Sequence, residues 1–205
     1  MELACLDLEG VLIPEIWIAF AEETGIEELK ATTRDIPDYD ELMQQRLRIL
    51  DENGLTLPQI QDTISRLSPL EGAAEFVDWL RERFQLIILS DTFYEFAQPL
   101  MRQLGFPTLL CHKLEVNEEG RITDYTLRQK DPKRQSVRAL QLLNYRVIAA
   151  GDSYNDTTML TQAESGILFH APDNVIAEFP QFPAVHTYED LKKEFLKASN
   201  RNLTL

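Results

Sequence analysis

Leu3-Ala4-Cys5-Leu6-Asp7-Leu8-Glu9-Gly10 is a short apolar run that closes on two carboxylates and a glycine. Residues 3–8 fit a buried strand. A spacing of two puts Asp7 and Glu9 on one side of an extended chain, where both can serve one reacting centre. Gly10 then permits a tight turn. Two solvated acids at a loop are the alternative. Apolar runs recur at residues 86–89, 108–111, 146–150 and 166–169. Helical patterns lie between them. Phe76, Val77, Leu80 and Phe84 fall at i, i+1, i+4 and i+8, one helix face leading into the second run. Strand alternating with helix predicts an α/β fold with a parallel sheet, whose ligands bind at the carboxyl ends of the strands.

About 75 residues separate the first run from the second, far more than a crossover needs. Residues 15–23, 39–52 and 58–67 read as helices there, punctuated by Gly25, Pro37, Gly54 and Pro58. The spacing therefore predicts a small helical cap over residues 13–69, with residues 1–12 and 70–205 forming the core. Residues 114–127 alternate on either side of Asn117-Glu118-Glu119-Gly120, which predicts a hairpin.

The chain has 205 residues with 20 Lys+Arg against 34 Asp+Glu, a net charge of −14. Residues 1–70 hold 15 of those acids against 5 bases, so the excess lies in the predicted cap. Nucleic acid and anionic membrane surfaces need clustered cations, and both are excluded as partners. No segment approaches the roughly 18 apolar residues of a spanning helix, and the N-terminus has no basic and apolar leader. A cytoplasmic protein is expected. Cys5 and Cys111 sit in apolar runs and read as core thiols. His112, His170 and His186 show no metal-ligand spacing and read as core or loop histidines. Trp17 and Phe20 share a helix face, read as packing.

Three more stretches carry polar groups at strand ends. Gly151-Asp152-Ser153-Tyr154-Asn155-Asp156 presents two carboxylates around a turn after residues 147–150. With Asp7 they could assemble a site for Mg²⁺, which favours one or two carboxylates, water and substrate phosphate. A helix-capping Asx turn explains the same residues and is compatible with that role. Ser90-Asp91-Thr92 precedes a helix predicted over about 93–104, an anion-binding arrangement or a plain cap. Lys133 opens another helix, where the macrodipole disfavours a cation unless an anion compensates. A phosphate would compensate.

In their order, Asp7-Leu8-Glu9-Gly10, Ser90, Lys133 and Gly151-Asp152-Ser153-Tyr154-Asn155-Asp156 resemble the four motifs of the haloacid dehalogenase superfamily of phosphotransferases. The likeness covers most of the chain, cap included, and implies a Rossmann-like core. Leu70-Glu71-Gly72-Ala73 and the hairpin are similar to phosphoserine phosphatases, in particular to bifunctional members that also transfer the phosphoryl group to homoserine. The resemblance implies that Asp7 is the nucleophile and Glu9 the general acid and base. Ser90, the backbone at Asp91, and Lys133 would hold the phosphoryl oxygens. Mg²⁺ would sit among Asp7, Glu9 through its carbonyl, and Asp152, with Asp156 in support and Asn155 near the substrate. Most of these phosphatases have Asp where this chain has Glu9, so the pocket must be adapted to a longer side chain.

Phosphoserine also offers an ammonium, for which Glu15 is placed, and a carboxylate, for which Arg46 is the candidate. In phosphoserine phosphatases the cap arginine falls two positions earlier, at Gln44 here. Tyr39 and Met43 could line the same pocket or pack the cap. Two other readings stand beside this one. The same core could act on phosphoglycolate or a sugar phosphate. A receiver-like phosphorylatable signalling module uses similar residues, though it is shorter and carries its phosphoacceptor on a later strand. A homodimer is plausible for such a protein.

Overall fold

The structure is a computed structural model that describes residues 1–32, 35–36 and 38–204. Pro37, one of the expected helix breaks, lies outside the described residues. At the centre is β1 (Glu2–Leu6), buried at every position. β2 (Gln85–Phe93) runs parallel on one side and β5 (Arg146–Gly151) on the other. With β3 (Thr108–Val116), β4 (Ile122–Thr126), β6 (Ser165–Phe169) and β7 (Ala184–Val185), the described strands form a seven-stranded sheet in the order β4-β3-β2-β1-β5-β6-β7. Only the β3–β4 pairing is antiparallel. Strands buried on both faces read as continuous apolar runs, which is why the central ones are visible in the sequence.

Helices cover both faces: α4 (Ala73–Arg81), α5 (Tyr94–Gln103), α6 (Pro132–Leu142), α7 (Thr157–Gln162), α8 (Asp173–Glu178) and α9 (Tyr188–Ala198). Successive residues of β1 divide between the two layers: Ala4 and Leu6 join one hydrophobic cluster, Leu3 and Cys5 the other. The chain turns from β1 toward β2 and β3, then returns to place β5 and β6 on the opposite side. That reversal opens a crevice at the carboxyl ends of β1 and β5, the place where α/β sheets bind ligands.

Between β1 and α4 come α1 (Ile16–Thr24), a 3₁₀ turn (Glu27–Lys30), α2 (Tyr39–Glu52) and α3 (Leu57–Ser65). The amide of Leu70 donates to the Leu12 carbonyl at 3.0 Å, so the chain leaves and re-enters the sheet layer at one point. These helices share a hydrophobic cluster with the sheet; Trp17 meets Phe96 edge-on with centroids 5.2 Å apart. The hairpin clasps them from the far side. Leu57 N–H donates to the Gly120 carbonyl at 2.8 Å, Arg121 pairs with Asp51 at 2.7 Å, and the Tyr125 hydroxyl donates to Asp40.

Several local expectations change. The first strand stops at Leu6, and residues 8–13 form a turn with Leu12 N–H bonded to the Leu8 carbonyl. Asp7 and Glu9 are therefore brought together by a turn, not by strand alternation. β2 continues through Ser90, Asp91 and Thr92, while α5 begins at Tyr94, within a residue of its expected start. Residues 108–111 and the first arm of the hairpin are one strand, β3, which pairs with β2 along its first half and with β4 along its second.

Candidate active site

A cavity of about 600 Å³ opens where the loops after β1, β2 and β5 meet α1 and α2, lined in part by Asp7, Glu9, Ser90, Lys133, Asp152 and Asn155. Glu15, Arg46 and Asp91 line it as well. Of the residues expected in the site, Asp156 alone lies behind its wall, with 0% exposure. Met43 is buried in the helical layer, whereas Tyr39 and Trp17 reach the cavity. Trp17 is thus a packing residue that also walls the site.

Each position has a local cause. Asp7 follows β1 directly and still bonds through its amide to the Ala150 carbonyl of β5 at 3.0 Å. This fixes it between the two central loops. Its Oδ1 accepts from the Leu8 amide at 2.7 Å and from Lys133 Nζ at 2.9 Å. After β5, Ser153 caps a 3₁₀ turn and Asp156 completes the capping box. Asp156 Oδ2 accepts from the Asp152 amide at 2.9 Å and the Ser153 amide at 3.2 Å, while Oδ1 accepts from Lys133 at 2.7 Å. The capping and site roles of Asp156 are therefore compatible. Lys133 enters from the first turn of α6, after Pro132 has set the helix start, and is 3% exposed.

Ser90, Asp91 and Thr92 do precede α5, whose N-cap is Phe93, but they belong to the end of β2. Leu89 pairs with Leu110 and Phe93 with His112, so three residues of β2 face a single residue of β3. This bulge interrupts the ladder and turns the segment into the cavity. Within it the Thr92 amide donates to Ser90 Oγ at 3.2 Å, and Asn155 Nδ2 donates to Asp91 Oδ2 at 2.9 Å.

The electrostatics divide in two. Asp7, Asp152 and Asp156 offer carboxylate oxygens within 4.8 Å of one another. Burial, then the neighbouring Asp156 and Asp152, push Asp7 well up, against the pull of Lys133. Burial with Asp156 and Glu15 pushes Asp152 up to about 7. Lys133 is pushed well above its usual range, because Asp156, Asp7 and Asp91 outweigh its burial. One ammonium facing three clustered carboxylates leaves negative charge uncompensated, and hard oxygen donors at this spacing fit a divalent cation. The cluster could hold a metal. The Glu9 carboxylate lies outside it, accepting from the Ile16 amide at 2.9 Å at the start of α1.

Glu9 belongs to the second division, with Glu15 and Arg46. Burial and the charge of Glu15 push Glu9 up to about 7, opposed by the Ile16 amide, the Thr92 hydroxyl and Arg46. Arg46 is buried under Trp17, its guanidinium carbon 4.5 Å from the ring centroid. Its Nη2 donates to the Ala31 carbonyl at 2.9 Å, but Nε has no partner. A buried, partly unsatisfied guanidinium on a cavity wall is a site for an anion. Gln44 is exposed on the outer face of α2.

Thr92, quoted with Ser90 and Asp91 but given no role of its own, reaches the cavity, and His112 is a core histidine as expected. His112 is buried and faces Asp91 across the strands, a contact that only the pairing of β2 with β3 reveals.

Comparison with known proteins agrees with this geometry. A family model described as haloacid dehalogenase-like hydrolase matches residues 1–164. The phosphoserine phosphatase ThrH of Pseudomonas aeruginosa is 78% identical over 205 residues, all of each chain. A phosphoserine phosphatase of Pseudomonas syringae pv. tomato is 77% identical over all of this chain and 86% of its own. A solved phospho-aspartyl intermediate analogue of phosphoserine phosphatase superposes with a TM-score of 0.76 over 94% of this chain and 98% of its own. At 20% identity that last likeness speaks for the fold. The crevice, its acidic cluster and these matches lead to one assignment: the chain belongs to the haloacid dehalogenase-like hydrolase family.

Proposed function

We propose that the protein is a phosphoserine phosphatase that works through an aspartyl-phosphate on Asp7 and also passes the phosphoryl group to homoserine. Residues 13–69 act as its cap and the remainder as its core. The observation that carries the substrate reading is Arg46: a buried guanidinium with an unpaired Nε, sharing one cavity with Asp7 and Glu15. Arg46 takes the substrate carboxylate and Glu15 its ammonium, a pairing that a neutral sugar phosphate would not satisfy.

With Oδ1 of Asp7 held by the Leu8 amide and Lys133, the attack falls to Oδ2. As the Oδ2–phosphorus bond forms, the bond from phosphorus to the seryl oxygen breaks. Glu9, with its carboxyl pushed up to about 7, carries the proton that the departing oxygen takes. Ser90 and Lys133 receive the charge on the phosphoryl oxygens. In the second half Glu9, now a carboxylate, takes a proton from water or from the homoserine hydroxyl. That oxygen attacks phosphorus and Asp7 leaves as a carboxylate. Mg²⁺ held by Asp7, Asp152 and Asp156, with the Glu9 carbonyl, would offset phosphoryl charge against these carboxylates.

Phosphorus NMR of the protein with L-phosphoserine and Mg²⁺, with and without L-homoserine, tests the reading. Inorganic phosphate is expected alone, and phosphohomoserine alongside it once homoserine is added. An unchanged phosphoserine signal would overturn the substrate assignment; phosphate without phosphohomoserine would remove the transfer.

A further inference from the structure

Lys133 is surrounded by three carboxylates at unequal distances. Asp156 Oδ1 lies at 2.7 Å and Asp7 Oδ1 at 2.9 Å, but Asp91 Oδ2 stands at 3.7 Å, beyond hydrogen-bond reach. An ammonium has three N–H groups, so two are used and one is left for a phosphoryl oxygen. The attraction between Asp91 and the buried ammonium of Lys133 should close that gap and take the third N–H. Something holds Asp91 off.

Each of its oxygens has a polar neighbour. Oδ2 accepts from Asn155 Nδ2 at 2.9 Å, and Oδ1 faces His112 Nε2 at 3.5 Å. His112 is 3% exposed, on β3 opposite the end of the bulge that carries Asp91. Its Nδ1 accepts from the Arg128 backbone amide at 3.1 Å. That bond fixes the tautomer: Nδ1 is the acceptor, so the proton of the neutral ring is on Nε2 and points at Asp91. Arg128 lies in the segment between β4 and α6, four residues before α6 begins. One imidazole therefore ties the bulge to the segment that delivers the lysine.

We propose that His112 is a positioning residue for phosphoryl transfer, holding the Asp91 carboxylate away from Lys133 so that one N–H of the ammonium remains for the substrate phosphate. The proposal rests on the reading that Lys133 binds phosphoryl oxygens. Without His112, Asp91 moves onto Lys133 and competes with the substrate.

Steady-state kinetics with phosphoserine and p-nitrophenyl phosphate separate this role from simple core packing. His112→Ala should raise KM about tenfold for both substrates, the loss of one charge-assisted hydrogen bond, with kcat changing less. His112→Gln, whose terminal amide reaches the place of Nε2, should keep KM within about threefold of wild type. His112→Asn reaches only the place of Nδ1 and should behave like His112→Ala. Adding Asp91→Asn to His112→Ala should bring KM back to that of Asp91→Asn alone. Equal KM values for the Asn and Gln variants, or a full tenfold rise on top of Asp91→Asn, would overturn the proposal. Should His112→Ala fail to fold, the contrast between Asn and Gln decides. A wild type that cleaves p-nitrophenyl phosphate but not phosphoserine would end the substrate reading and leave the His112 comparison intact on the first substrate. Cleavage of neither would overturn both.

Discussion

Alanine at position 10 would place a methyl carbon 2.3 Å from Asp152 Oδ2 and 2.7 Å from its Cγ. A carbon and an oxygen not bonded to each other settle near 3.3 Å, so the Asp152 carboxylate has to retreat by about 1 Å. Misplacing a catalytic group by that distance costs roughly 10²-fold in rate, about 2.7 kcal/mol of activation energy. The backbone adds a second cost, since Gly10 holds φ +76° and a side chain there is strained by about 1–2 kcal/mol. For a chain of this length that lowers Tm by roughly 2–8 °C. Gly54 separates the two effects. It holds φ +63° with nothing within 4 Å of the added carbon, so Gly54→Ala should lose a similar number of degrees and keep its kcat. The assay is kcat for phosphoserine at saturating Mg²⁺, with thermal melts of both variants. Gly10→Ala turning over within about threefold of wild type would refute the argument that this loop fixes Asp152.

Arg46→Ala should raise KM for phosphoserine about 10²-fold while changing that for p-nitrophenyl phosphate within about threefold; equal rises would take Arg46 out of carboxylate recognition. Mg²⁺ should raise Tm by about 5 °C over chelator-treated protein, because it compensates the charge shared by Asp7, Asp152 and Asp156, and Asp152→Asn should remove that response. Glu2 anchors the C-terminal segment, accepting from Ser199 Oγ at 2.6 Å, the Asn200 amide at 2.7 Å and Arg201 Nε at 2.8 Å. Burial pushes its carboxyl up, but these bonds prevail and hold it below its usual value of 4.5. A depressed folded value gives stability that is present above about pH 4.5 and lost as pH falls through the folded value. Glu2→Gln should accordingly melt about 4 °C lower at pH 7, with the gap to wild type narrowing below pH 4.5. A gap that stays constant down to pH 3 would reject this anchor.

The parts of the fold visible in the sequence are those set by local composition. β1, β5 and β6 lie in the middle of a sheet covered on both faces, so they appear as apolar runs, and the first two are followed by Asp7 and by Asp152 and Asp156. The helical insertion shows as a gap too long for a crossover. Properties of pairing were out of reach. The bulge at Ser90–Thr92 exists because β2 and β3 fall out of step between Leu89 and Phe93, which no feature of either strand alone announces. The same holds for His112 beside Asp91. β7 has two residues, too few for any pattern. α9 did leave a signal: Thr187 accepts from the Asp190 amide as an N-cap, and Leu191 and Phe195 are buried four apart. Arg46 could be named from its residue type, against a spacing that pointed to Gln44, while its unpaired Nε and its place against Trp17 needed coordinates.

In the proposed mechanism Asp7 carries the phosphoryl group in turn from donor to acceptor. Rapid acid quench of the protein during turnover of phosphoserine, followed by peptide mass spectrometry, addresses it directly. A phosphorylated peptide is expected with the group on Asp7, absent from Asp7→Asn, which should retain the fold and lose turnover. A phosphoryl group on another residue, or an Asp7→Asn variant with near-normal activity, would contradict it.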